Sequence, residues 1–102
     1  MSLTSEEIEQ GLDAASEALW HAMQLIEQAR TNTRERSLTL LDEADRSIVS
    51  AEGIIDSLHR DVTRVHGPNH MALQFGNTGL ALLKAREGVR NLREEALRHP
   101  GP

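Results

Sequence analysis

The chain has 102 residues, a net charge of −5 from 16 acidic and 11 basic side chains, and no cysteine. One ordinary domain is the bound, disulfides and thiolate metal sites are excluded, and the acidity argues against a binder of phosphate backbones. The apolar set makes up 38% but includes only two aromatics, Trp20 and Phe75, so a Leu, Ile, Val, Ala and Met core is expected, with almost no stacking surface for bases or flat cofactors.

Proline stands only at 68, 100 and 102, which leaves the first two thirds of the chain free of the strongest helix breaker. Thr4 and Glu7 have capping-box spacing, and Glu6, Glu7 and Glu9 place negative charge at a helix's positive end. A first helix is expected over about residues 5–31. Its apolar seam is Ile8, Leu12, Ala15, Leu19, Ala22, Ile26 and Ala29, whose alternation of 4 and 3 residues is the coiled-coil pattern. Thr31-Asn32-Thr33 has no apolar residue and reads as a turn, with Thr33 placed to cap the next helix.

The second helix, about residues 34–66, carries Leu41, Ala44, Ile48, Ala51, Ile55, Leu58, Val62 and Val65 on its seam, flanked by Leu38, Leu40, Val49 and Ile54. Asp42 with Arg46 and Asp56 with Arg60 are acid-before-base pairs one turn apart on its outer face. His66-Gly67-Pro68-Asn69 ends it, with glycine suited to a left-handed terminal residue and proline unable to continue. A third helix, about 70–98, comes next with Met71, Phe75, Thr78, Leu82, Ala85, Val89, Leu92 and Ala96. Gly76 and Gly79 interrupt it, but the heptad phase runs through them unbroken; one continuous helix is expected, with a neighbouring helix approaching closely at the glycines.

The pattern predicts an all-α protein: an up-down-up bundle of three long antiparallel heptad-patterned helices in one domain over 1–102, with 1–3 and 99–102 frayed. Such a bundle is a slender rod, and slender rods gain core by pairing, so a homodimer is expected. Residues 4–31 carry six acids and one base, and 69–102 three acids and five bases, which predicts attraction between helices one and three. The longest charge-free run, Val65–Leu83, contains glycine, proline and histidine and cannot form an apolar membrane span. Met1–Glu9 has no basic and apolar leader pattern, so a cytoplasmic protein is expected. Arginine outnumbers lysine ten to one, as in GC-rich bacterial genomes.

For chemistry, Glu17 with His21 and Asp56 with His59 have helix-face metal spacings, but a turn near Asn32 places them at opposite ends of the hairpin. His66 and His70 flank Gly-Pro with Asp61 nearby, two imidazoles short of a permanent site. No nucleophile with base and acid, no phosphate loop and no His-Glu-x-x-His pair occurs. A non-enzyme without metal or cofactor is expected. Arg86, Arg90 and Arg93 form a basic face interleaved with Glu87, Glu94 and Glu95, which reads as solvated.

The residue that stands apart is Trp20. It falls off the helix-one seam, with Met23 three residues on, so it is either covered as core by a third helix or dimer partner, or exposed as an interaction anchor. Trp20, Met23 and Gln24 are the candidate partner-binding residues. In length and paired helices the chain is similar to the small secreted proteins of type VII secretion, a likeness of size and helicity. The Trp-x-Gly turn that marks them is replaced by Trp20-His21-Ala22 within helix one, and no tyrosine exists for their export motif. The expected function is a non-enzymatic helical interaction or assembly module that self-associates. The alternatives are a small-molecule or metal-binding bundle with a pocket where Gly76 and Gly79 leave space beside Phe75 and Met71, or a secreted helper of the type VII kind.

Overall fold

The computed structural model describes residues 4–98, in which three helices succeed one another: α1 Ser5–Arg30, α2 Arg34–His66 and α3 Ala72–Arg98. The expected frayed ends, 1–3 and 99–102, lie outside the described residues. Each boundary has a local cause. The Thr4 hydroxyl accepts the Glu7 amide at 3.1 Å and fixes the start of α1, and Thr33 does the same for α2 through the Arg36 amide at 3.4 Å. Both caps and the turn at Thr31-Asn32-Thr33 stand where the spacing places them.

Gly67 ends α2 with φ of 95° and its amide on the Thr63 carbonyl at 3.0 Å. Met71, at φ of 53°, also takes the left-handed conformation, in which a side chain is strained. It is nonetheless half-buried against the core and accepts the Phe75 amide on its carbonyl at 3.1 Å, the first hydrogen bond leading into α3.

The helices pack antiparallel around one core of Ile8, Leu19, Leu41, Ile48, Val62, Phe75 and Leu82, with alanines between them. The α1–α2 hairpin is the most extensive contact and α3 lies more against α2 than against α1. The result is a rod of 56 × 18 × 16 Å. Alanines at 15, 22, 44 and 51 are fully buried and let α1 and α2 approach closely. Gly11 marks the tightest point: a Cβ there would stand 2.7 Å from Leu58 Cδ2.

That geometry separates the glycines. Gly11→Val should cost about 1–3 kcal/mol through overpacking against Leu58. Gly53→Ala, whose added methyl meets open space on α2, should gain about 1 kcal/mol from helix propensity. Guanidinium unfolding midpoints of the two variants should therefore move in opposite directions.

Three expectations are corrected. Gly76 and Gly79 do lie inside one continuous α3, but no helix of this chain approaches them: a Cβ at either position would meet nothing within 4 Å. Among the described residues the cross-helix ion pairs join α3 to α2 and not to α1, Arg86 to Glu52 and Arg93 to Asp42, the latter at 2.9 Å. Asp42 thus pairs with Arg93 of α3, and Arg86 and Arg93 reach acids of α2 while remaining solvent-exposed, as expected of that face. Third, Val65 is exposed despite its seam position. In the register set by Gly11 and Leu58 it stands opposite the polar Thr4, a turn before Ile8, where the α1 seam begins.

The turn end of the rod is closed by polar groups. Ser37 is buried, its hydroxyl 2.5 Å from the Ala29 carbonyl and 3.3 Å from that of Asn32. Arg34 donates through Nε to the Ala96 carbonyl at 2.9 Å, satisfying one of the four carbonyls that the end of α3 leaves without helical partners.

Candidate functional site

Trp20 is two residues from fully buried Ala22, and so points about 160° around α1 from the core. It is 63% exposed, with Met23 at 54%, and Gln24 is exposed beside them. The third helix does not cover it. The three residues expected to bind a partner thus form one outward patch in the middle of α1.

A second apolar surface is not apparent from the main seams of the sequence. Leu73, Leu80 and Leu83 of α3 are 74%, 52% and 53% exposed. With Gly76 they are spaced 3, 4 and 3 residues apart, the seam pattern, but on the face opposite Phe75, Leu82 and Val89, which are buried. The signal is nonetheless present: two seams interleave on α3, and the outer one contains a glycine that apolar counting passes over. No Asp, Glu, Lys or Arg lies between Val65 and Leu83.

Three of the histidines, His59, His66 and His70, make ring contacts. His59 tilts against Phe75 with centroids 4.9 Å apart, which fixes the start of α3 on α2. His66 and His70 stack at 4.5 Å and 24°; stacked faces do not converge their nitrogens on one ion. Among the described residues no three His, Asp or Glu side chains come together as a ligand set. The space expected beside Gly76 and Gly79 is open surface. A cleft of about 640 Å³ lies instead at the opposite end of the rod, where Arg30, Arg34, Ser37, Leu41, Leu92 and Glu95 line an open trough. Melting temperatures measured with EDTA and with millimolar Zn²⁺ should agree within error, whereas a metal-binding bundle would show a shift of several degrees.

No helix of the described residues is long and apolar enough to cross a membrane. The chain matches no family model, no curated protein and no solved structure. Its functional reading rests on its own surface.

Proposed function

We propose that this protein is a non-enzymatic helical interaction module that self-associates and presents a further helix face to another protein. The observation that carries this reading is the placement of large apolar side chains outside a core that is already closed. Ile8, Leu41, Ile48 and Val62 are fully buried, while Trp20 and Met23 on α1 and the three leucines on α3 face outward. Scattered single apolar residues need no explanation, but a tryptophan beside a methionine and a periodic leucine stripe are the composition of binding surfaces.

The shape points the same way. The rod is 56 Å long and only 18 × 16 Å across. A rod this thin leaves surface that association can bury.

Trp20 fluorescence recorded with light scattering on size-exclusion fractions tests the reading. Self-association with Trp20 still solvent-exposed and red-shifted is expected, leaving the α1 patch for a different protein. A monomer whose Trp20 emits at the wavelength of a buried indole would contradict both halves.

A further inference from the structure

We propose that the outer face of α3, Leu73-Gly76-Leu80-Leu83, is the self-association surface, and that its occupant is the same face of a second copy running antiparallel. This inference rests on the self-association proposed above and locates it. The spacing 3, 4, 3 is unchanged when reversed, so two antiparallel copies centred at residue 78 place Leu73 opposite the partner's Leu83 and Gly76 opposite the partner's Leu80. Each Leu80 then enters the space above a glycine. That space is open in the structure: a Cβ on Gly76 would meet nothing within 4 Å. Knob and hole are therefore supplied by one sequence, as a two-fold interface requires.

Charge selects the direction. In the antiparallel register Lys84 lies opposite Ala72 and Glu87 opposite Asn69, so no like charges meet. A parallel pairing would bring Lys84, Glu87 and Glu94 each against its own copy. The proposed contact, Leu73 to Leu83, lies wholly within the uncharged stretch from Val65 to Leu83, and the charged outer face of α3 begins where that contact ends. Gly76, a mid-helix glycine that costs α3 about 1 kcal/mol, also acquires a reason that nothing within the monomer supplies.

Because the chain has no cysteine, single cysteines report the register directly. Along the helix axis, two copies of Asn77→Cys would be about 3 Å apart and two copies of Asn91→Cys about 39 Å apart. A short bis-maleimide should therefore link the first variant into dimers and leave the second monomeric on a denaturing gel. In parallel, Gly76→Leu fills the hole and Leu80→Glu removes the knob. Both positions are exposed, so circular dichroism should report an intact bundle while the dimer dissociation constant rises about tenfold or more. Trp20→Ala should leave that constant unchanged.

Loss of the dimer in Gly76→Leu and Leu80→Glu, with linkage through Asn77→Cys alone, is the expected result. A dimer that survives both substitutions, or that links through Asn91→Cys, overturns the α3 seam while leaving self-association standing. A wild-type chain that is monomeric at every concentration overturns both.

Discussion

Phe75→Ala should cost about 3–5 kcal/mol, the range for removing a buried phenylalanine, and should do so by releasing α3. Phe75 is buried in the core, its ring tilted against His59 of α2. Apart from half-buried Met71, the residues around it contribute little to holding the helix: Gly76 and Gly79 have no side chain, and Leu73 and Leu80 face away from the core. The next buried anchor is Leu82, two turns on. Against a total stability of roughly 5–15 kcal/mol for a domain of this kind, the loss should be visible as reduced helicity at 222 nm, alongside a lower guanidinium midpoint. A wild-type midpoint would mean that α3 is held by its C-terminal half and by the Arg86 and Arg93 ion pairs. Exposed pairs of that sort contribute only about 0–1 kcal/mol each.

Trp20→Ala should behave in the opposite way. Its side chain contributes little to the core, so the unfolding free energy should stay within about 0.5 kcal/mol of wild type. Affinity for a protein bound on α1 should fall by about 2 kcal/mol or more, some thirtyfold, as for tryptophan anchors at interface centres. Met23→Ala should give a smaller loss in the same direction. The pair of measurements, denaturation and titration calorimetry with the bound protein, separates an anchor from a core residue. A large stability loss without a binding loss would assign Trp20 to folding.

Much of the fold comes from short-range chemistry that the sequence displays. Thr4 and Thr33 cap because a hydroxyl three residues before a free amide has one geometry to adopt, and Gly67-Pro68 ends α2 because neither residue favours another turn. The heptad phase gives the buried faces of all three helices. It does not give the width of those faces. Leu25 and Leu40 are buried off the seam, because a three-helix core needs a broader stripe than a two-stranded coil.

Ser37 is legible one step further back along the α2 seam, four residues before Leu41, but a count of apolar residues passes over it because it is polar. Its hydroxyl finds the Ala29 carbonyl only after the hairpin closes. The pairing of Arg86 and Arg93 with acids of α2 depends on rotation of α3 about its axis, a tertiary property that charge totals per helix do not contain.

The surfaces are less evenly legible. The Trp20 patch comes from phase alone, since a residue off a clean seam must point elsewhere. The α3 stripe needs the structure, because Leu73, Leu80 and Leu83 could have joined a wide core face. Their exposure and the empty space above Gly76 distinguish them from it.

The central claim, that a closed core leaves these apolar faces to be filled by other chains, is tested most directly by the mass of the wild-type protein in solution. Light scattering across a concentration series should give twice the 11.3 kDa chain mass, falling toward one chain on dilution. A mass of one chain at every concentration up to the solubility limit would contradict self-association and leave the α3 face without the occupant assigned to it.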